Sequence, residues 1–386
     1  MTLAHSFTRR GVNLVQRYST MRQADDTPEV HQIPPFAALI FLLTCAFFFV
    51  LLAVLSYTAG HLILTLCMVE SSSTTAYVPI ESVEPVDDSP PAYQEDGSLR
   101  QDDADVNLIK TQPITASLKK TARHLRVRAG YLWVFRGFSA YVVWNFTRSI
   151  VVGMLSSASN SPFLTIIAAI IAEVALANIH MTWIHIIISE PSPKRWYQRI
   201  PTPYLRTWKK IAPAVAIWAV TSQVVTILPL LVTNSFGVLR HMNDPSYQPG
   251  MKEAYAGAGQ LFFAMLLTVL LFVLLDVPAT VAMVRVAASM LPEEDETIVP
   301  FDRTFGGLTT PEIIGGQGKI GIVEAWRSFN WECRRRLLKT VVKVAALIMA
   351  TWLLFSIVAM IEAHTLFGPA FGEMMKSMHG IANRGS

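Results

Sequence analysis

The fold class is decided by a long apolar run near the start of the chain, Phe36–Val69, which reads FAALIFLLTCAFFFVLLAVLSYTAGHLILTLCMV and holds no Asp, Glu, Lys or Arg. A helix crosses a bilayer with about 20 apolar residues, so two crossings and a turn would need a longer run than this one. We therefore predict one spanning helix over 36–58. It begins after Pro34-Pro35, since proline is tolerated in the first helical turn. The remainder, 60–69, either extends the helix or lies in the membrane interface.

The rest of the chain has the composition of a membrane protein. Its 386 residues are 52% hydrophobic and only 16% charged, whereas soluble domains carry about 25% charged residues. Further apolar segments predict additional spans. We therefore expect an all-α fold, a polytopic transmembrane helical bundle of about six spans, with one membrane bundle over 114–367 and a tail over 368–386. The five further spans are expected at about 132–157, 163–188, 211–233, 254–275 and 344–363.

The segment before the first span, 1–35, is amphipathic, and its first 24 residues hold four arginines and no acidic residue. This pattern is typical of a helix lying on a membrane surface or of a mitochondrial presequence. A secretory signal peptide is excluded because the apolar run begins too late. We expect an integral membrane protein of the endomembrane system or the plasma membrane, with a mitochondrial membrane as the alternative.

Between the first span and the bundle lies an acidic, Pro-containing linker, 70–113, whose composition predicts disorder. Basic amphipathic helices at the membrane interface are predicted before the second and sixth spans, over 114–128 and 322–336. Most of the 32 Lys and Arg residues lie in three loops: the linker with its lead-in, 190–210, and 276–343. Since cytosolic loops collect basic residues, these loops should face the cytosol.

The linker contains a Pro-Pro-x-Tyr motif formed by Pro90, Pro91 and Tyr93. Two adjacent prolines preset an extended backbone of low conformational entropy, which WW domains bind in aromatic grooves. The motif resembles the ligands of WW-domain ubiquitin ligases, and its acidic, cytosolic setting suits such a partner. The alternative is a chance tetrapeptide in a Pro-rich tether.

Ionisable and polar side chains inside the predicted spans form the second candidate site: Arg148 in the second span, and Glu173, His180 and His185 in the third. Charges inside a membrane are costly and are usually paired or functional. The depths of Arg148 and Glu173 predict an ion pair, and His180 lies on the helix face of Glu173 because seven residues make about two turns. The group is either a proton or ion path or a structural pair that holds two spans in register.

Other chemistry finds little support in the sequence. The three cysteines form no metal-ligand or disulfide spacing, no cofactor motif is present, and no catalytic residue can be assigned. Cys333, beside three arginines at the membrane, is a candidate S-palmitoylation site, with an unmodified cysteine as the alternative. The net charge of +4 is too small to indicate nucleic-acid binding.

Several stretches of the chain resemble a family of fungal multi-span membrane proteins: IISEPSP at 187–193, VRV at 284–286, SMLP at 289–292, DETIVPFDRTFGG at 295–307 and AWRSF at 325–329. The likeness extends over most of the chain from Phe36. It implies a multi-span fold of no established activity. Some members of the family are labelled ubiquitin carrier or ubiquitin-conjugating enzyme. Catalysis is not implied here, because the chain has no His-Pro-Asn tripeptide and no cysteine in a soluble α/β domain.

Two hypotheses of different class follow. The first is a non-enzymatic membrane protein that acts as an adaptor or client of a WW-domain ubiquitin ligase through Tyr93. The second is a transporter of a small molecule or lipid that uses the polar residues of the third span. An intramembrane enzyme is disfavoured because no pair of nucleophile and base can be named.

Overall fold

A computed structural model describes residues 35–71, 113–157, 161–236, 250–309, 315–316 and 318–383. This part of the chain is helical and contains no strand beyond an isolated antiparallel bridge between Ser189 and Thr297. The predicted all-α class is therefore confirmed.

The first apolar run is helical over its whole length. Helix α1 (Pro35–Leu55) passes through a π-helical segment (Ser56–Ile63) into α2 (Leu64–Val69). Residues 60–69 therefore extend the first helix, which was one of the two alternatives for this part of the run.

The later helices follow in chain order. They are α3 (Leu118–Ala129), α4 (Phe138–Ser156), α5 (Pro162–Ala175), α6 (Ala177–Ile188), α7 (Tyr204–Ser235), α8 (Met251–Leu271), α9 (Val277–Ser289), α10 (Ile322–Arg327) and α11 (Trp331–Asn383). A π-helical segment, Phe272–Asp276, joins α8 to α9 just before Pro278. Proline lacks an N–H and clashes with the preceding turn, and a widened turn relieves both problems.

Four helices are long and apolar enough to cross a membrane: Phe36–Val69, Tyr204–Ser235, Met251–Ser289 and Trp331–Thr365. The pair α5 and α6, bent by 58° at Leu176, makes a fifth if it is one broken span. Helix α4, in the predicted second span, is not among them, since Asn145, Arg148 and its serines make it less apolar. The protein is thus an integral membrane protein with several spans, and the count of six stays a prediction.

The chain forms two compact units. The first contains the described residues up to Phe49 and those from Leu353 on. Within it, the rings of Phe48 and Phe355 lie 5.2 Å apart. The Thr44 hydroxyl donates a hydrogen bond of 2.6 Å to Glu362 Oε1.

The second unit, Val50–Trp352, has its core where the ends of its helices meet. Fully buried apolar side chains come from the last turns of α2, α6 and α9, from the start of α7 and from α11: Leu66, Ile187, Val286, Ile211 and Leu337. The middles of the long helices expose apolar side chains instead, as a lipid-facing surface requires.

One buried carboxylate, Glu70, joins the two ends of the linker. Its side chain accepts hydrogen bonds from the backbone N–H of Ile114 (2.6 Å) and of Thr115 (2.9 Å) and from the Thr115 hydroxyl. Arg336 Nη1 lies 3.7 Å from Glu70 Oε2. The two ends of the linker, just after α2 and at Thr115, therefore meet at the Glu70 side chain, whose hydrogen bonds are all made.

Candidate functional site

The candidate site lies at the break between α5 and α6. Leu176, between the two helices, has φ −92° and ψ 11°, outside the helical region. Two contacts with α7 hold the break: Trp208 Nε1 donates to the Val174 carbonyl (2.7 Å), and Asn178 Nδ2 donates to the Tyr204 carbonyl (2.9 Å). Trp208 thus satisfies a carbonyl at the end of α5, which is necessary because a buried backbone group without a partner is costly.

The predicted ion pair between Arg148 and Glu173 is present, with Arg148 Nε bonded to Glu173 Oε1. The Glu173 side chain is 6% exposed and that of Arg148 is 30% exposed. The second oxygen, Glu173 Oε2, is buried and accepts no hydrogen bond from the described residues. Arg148 therefore bonds one oxygen of the carboxylate, and the other oxygen makes no hydrogen bond with the described residues.

Trp144 joins Glu173 to His180. The Trp144 and His180 rings stack with centroids 4.1 Å apart. The Trp144 indole also lies near the Glu173 carboxylate, but its N–H makes no hydrogen bond of normal geometry. The helix bend thus does not separate Glu173 from His180, because both side chains meet the same tryptophan of α4.

Four buried polar atoms around the break have no hydrogen-bond partner among the described residues: Trp144 Nε1, Glu173 Oε2, Asn178 Oδ1 and His180 Nδ1. Buried polar atoms are bonded in the large majority of cases, so a group of exceptions calls for an explanation. Glu173 Oε2 and His180 Nδ1 belong to titratable groups, Trp144 Nε1 is an indole donor, and Asn178 Oδ1 is an amide oxygen. A proton or a small polar solute could satisfy them.

Aromatic side chains continue from this group along the helices. Trp218 of α7 lies 5.0 Å from His180 between ring centroids, and Trp183 lies 5.6 Å from Tyr141. The Tyr141 hydroxyl lies 3.1 Å from His61 Nε2. These residues are not among those predicted from the sequence, although the density of Trp and Tyr inside the predicted spans is a signal that could have identified them.

The row of aromatic rings ends at Arg136, just before the first residue of α4. The Tyr57 hydroxyl donates to the Arg136 carbonyl and accepts a hydrogen bond from Trp183 Nε1 (3.3 Å). Arg136 Nε donates to the Ile186 carbonyl at 2.9 Å. Burial lowers the pKa of this guanidinium to about 10, with the charge of Arg199 acting in the same direction. Arg136 therefore remains charged at neutral pH and binds the C-terminal end of α6, where a cation is favourable.

His185 belongs to a different environment. Its Nε2 lies 2.8 Å from the Ala287 carbonyl of α9, and its side chain lines a cavity at the end of α6. The four predicted intramembrane residues thus divide into a group of three around Trp144 and a separate histidine.

The remaining predicted site residues lie elsewhere. Pro90, Pro91 and Tyr93 are outside the described residues. Cys333 is buried, at 4% exposure, with its Sγ 3.9 Å from the Glu70 carbonyl oxygen. Acylation of Cys333 would require this contact to open, and its lipidation stays a prediction.

Comparison with known proteins adds no relative to this description: no family model, no curated protein and no solved structure matches the chain.

Proposed function

We propose that the protein is a multi-pass membrane transporter that passes a proton or a small polar solute through the site at the α5–α6 break. The observation that carries the proposal is the group of four buried polar atoms at a broken helix that have no hydrogen-bond partner in the described part of the chain. Transporters form their sites at discontinuous helices near the middle of the bilayer, because such helices bring polar backbone and side-chain groups into a protein interior.

In this proposal Glu173 is the residue that binds. Its Oε2 takes up and releases the proton or contacts the solute, while Oε1 stays bonded to Arg148. Arg148 keeps the carboxylate from being an isolated charge, which would be costly in a membrane. Trp144 and His180 form the aromatic wall of the site, and His180 Nδ1 is a second position for a proton.

The same pairing supports a sixth span. Arg148 is the charge that makes α4 less apolar, and its bond to Glu173 of α5 offsets part of its cost in lipid. With α4 and the broken pair counted, the chain crosses the membrane six times, with its large basic loops in the cytosol. We place it in the endomembrane system or the plasma membrane.

Proton flux into liposomes tests the transport function. Purified full-length protein is reconstituted, a potential is set with potassium and valinomycin, and internal pH is followed with pyranine. Wild type should acidify the interior faster than empty liposomes, and Glu173→Gln should abolish the difference. Asp276→Asn is the matched control, since Asp276 is a carboxylate of another candidate span, near Thr280, and it should retain flux. Equal flux in wild type and Glu173→Gln would contradict the role of Glu173.

A second candidate function rests on Pro90, Pro91 and Tyr93: recruitment of a WW-domain ubiquitin ligase to the membrane. Because Glu70 holds both ends of the linker at one point, the motif would be presented as a loop rather than as a free tail. Immobilised WW domains should retain detergent-solubilised wild type and lose Tyr93→Ala, whereas Tyr77→Ala in the same linker should bind like wild type. Equal retention of all three proteins would exclude the docking function.

A further inference from the structure

The loop between α6 and α7 contains a serine between two prolines, Pro191-Ser192-Pro193, and this triplet is followed by Lys194 and Arg195. Of the six Ser-Pro or Thr-Pro pairs in the chain, this is the only one with Lys or Arg three residues after the hydroxyl residue. Proline-directed protein kinases select this pattern. Their substrate groove accepts a residue that has no backbone N–H directly after the phosphorylated residue, and it binds a cation two residues further on.

The segment around Ser192 is accessible from solvent. It lies after the end of α6 at Ile188 and before the 3₁₀ turn Trp196–Arg199. Ser192 is half-buried, and its neighbours on both sides are exposed: Pro191, Pro193, Lys194 and Arg195. The Ser192 hydroxyl accepts a hydrogen bond of 3.3 Å from the backbone N–H of Lys194. A kinase would have to break only this long and exposed bond to reach the Ser192 Oγ.

A cavity of about 260 Å³ lies beside Ser192, and Ser192 is part of its lining. The same lining contains two tryptophans, Trp133 and Trp196, and two arginines, Arg136 and Arg199. The cavity therefore lies between the loop after α6 and the segment that precedes α4. A phosphate group on Ser192 could enter this space and meet a guanidinium there.

Arg136 is the cation best suited to bind such a phosphate. Its Nε donates to the Ile186 carbonyl at 2.9 Å, and this bond fixes the guanidinium at the end of α6. A guanidinium has five N–H donors in a planar fork, so one carbonyl does not exhaust it. Arg199 is paired with Asp295 at 3.0 Å, yet its charge still acts on Arg136. An anion near both arginines would offset this repulsion.

Glu190 and Glu294 oppose a new negative charge at Ser192, and each of them has a cationic neighbour. Glu190 lines the cavity and accepts a hydrogen bond of 2.9 Å from Arg128 Nη1. Glu294, with a side chain that is 84% exposed, lies 3.8 Å from the Lys194 ammonium. An ion pair as exposed as this one is weak. A phosphate two residues from Lys194, with more charge than a carboxylate, can therefore compete for it.

We propose that Ser192 is a phosphorylation site for a proline-directed protein kinase, and that the phosphate binds in the cavity against Arg136 and Lys194. In the transfer, Ser192 Oγ forms a bond to the γ-phosphorus of ATP, and the bond from that phosphorus to the oxygen of the β-phosphate breaks. ADP leaves with the electron pair, and the hydroxyl proton passes to the catalytic aspartate of the kinase. The cytosolic position proposed above for the large basic loops gives the kinase access to Ser192.

Phosphorylation is measured on purified full-length protein with ATP and a cyclin-dependent kinase as the proline-directed probe, and phosphopeptides are quantified over time by mass spectrometry. Wild type should gain a phosphate at Ser192. Arg195→Gln removes the cation that the kinase binds and should slow this modification about tenfold. Lys209→Gln is the matched control, since Lys209 is an exposed lysine outside the motif, and it should be modified like wild type. No phosphate at Ser192, or equal rates in Arg195→Gln and Lys209→Gln, would overturn the assignment of the site.

Thermal unfolding tests where the phosphate binds. For each variant, protein treated with the kinase is compared with the same protein after phosphatase treatment. Phosphorylation should raise the unfolding temperature of wild type, because charge-assisted hydrogen bonds then join the loop to Arg136. Ser192→Ala should show no rise. Arg136→Gln should be less stable by itself, since it loses a charged donor to the Ile186 carbonyl, and phosphorylation should not raise its unfolding temperature.

Arg136→Lys keeps the charge without the planar fork, and it is the second variant if Arg136→Gln does not fold. Its rise on phosphorylation should be smaller than that of wild type. The absence of a rise in wild type, or an equal rise in wild type and the Arg136 variant, would overturn the placement of the phosphate in this cavity.

Discussion

Glu70 and Glu173 are both buried carboxylates paired with an arginine, and they differ in how completely they are bonded. Glu70 is 1% exposed and has three hydrogen-bond donors besides the nearby Arg336. Glu173 is 4% exposed and bonds Arg148 through one oxygen, while its other oxygen makes no hydrogen bond of normal geometry with the described residues. A buried polar group whose hydrogen bonds are all made forms a rigid junction. A group with an unused hydrogen-bonding position can still bind a ligand or a proton.

The difference follows from the backbone around each residue. Glu70 stands just beyond the end of α2, where the 3₁₀ turn Ile114–Ala116 presents two free N–H groups to it. Glu173 lies inside α5, where the neighbouring N–H groups are used by the helix. Only side chains can reach Glu173. The two sites should therefore respond differently to mutation, the first mainly in stability and the second mainly in function.

The largest effect is expected for Glu70→Ala. Three donors and the Arg336 guanidinium would lose their acceptor, and breaking a buried pair costs about 3–5 kcal/mol. Unfolding in detergent can be followed with a thiol-reactive dye, because Cys67 and Cys333 are buried and react on unfolding. Glu332→Ala removes an exposed carboxylate and should change stability by no more than about 0.5 kcal/mol. Similar losses in the two variants would show that Glu70 is not a junction.

Thr115→Val removes only the hydroxyl donor to Glu70 and keeps the shape of the side chain. A hydrogen bond to a charged group contributes about 1.5–3 kcal/mol, so we expect a loss in that range by the same unfolding assay. In Thr226→Val the lost hydroxyl bonds only the Ser222 carbonyl of its own helix. That variant should unfold at nearly the wild-type temperature, and a comparable loss there would attribute the effect to the Thr-to-Val change itself.

At the second carboxylate, Glu173→Gln and Arg148→Gln should each destabilise modestly, and the double substitution should recover part of the loss. Contacting charges couple by about 1 kcal/mol in such cycles, and the partial exposure of Arg148 limits the value here. Stability losses equal to those of Glu70→Ala would make Glu173 a structural junction of the same kind. In that case its open oxygen would need another explanation.

The smallest effect on stability is expected for a substitution of Asp302, a mostly exposed carboxylate whose oxygens are hydrogen-bonded. Its oxygens accept hydrogen bonds from the Thr304 N–H (2.8 Å), the Thr304 hydroxyl (2.7 Å) and the Gly306 N–H (2.6 Å). The bonds from Thr304 hold the pKa of Asp302 below its ordinary value. A lowered folded-state pKa contributes stability that is present above the unfolded-state pKa and is lost as pH falls through the folded-state pKa.

Wild type should therefore exceed Asp302→Asn slightly in unfolding temperature at pH 7. The gap should begin to narrow below about pH 4, the ordinary pKa of an aspartate, and should close only once the pH is below the lowered folded-state pKa. Unfolding curves recorded from neutral to acidic pH measure this gap. A gap that is constant with pH would mean that protonation of Asp302 plays no part.

Much of the fold could be predicted from the sequence, because hydropathy and charge act locally along a helix. The apolar run Phe36–Val69 is one helix, and each of the other long apolar helices contains a predicted span and extends beyond it. The pair of Arg148 and Glu173 was also predictable, since depth in the membrane can be counted from the turn between their helices. The unsatisfied atoms were not predictable, because satisfaction depends on which side chains approach from other helices.

The sequence by itself thus determined the membrane class, the helical segments and the two charges that pair inside them. The tertiary structure decided the break at Leu176, which no glycine or proline marks between 170 and 182. It is held by Trp208 and Asn178 against α7. It also decided that Glu70 is fully bonded and Glu173 half bonded, and that Arg136 and Ser192 line one cavity. Hydropathy is a sum over neighbours in the chain, whereas hydrogen bonding and enclosure depend on neighbours in space.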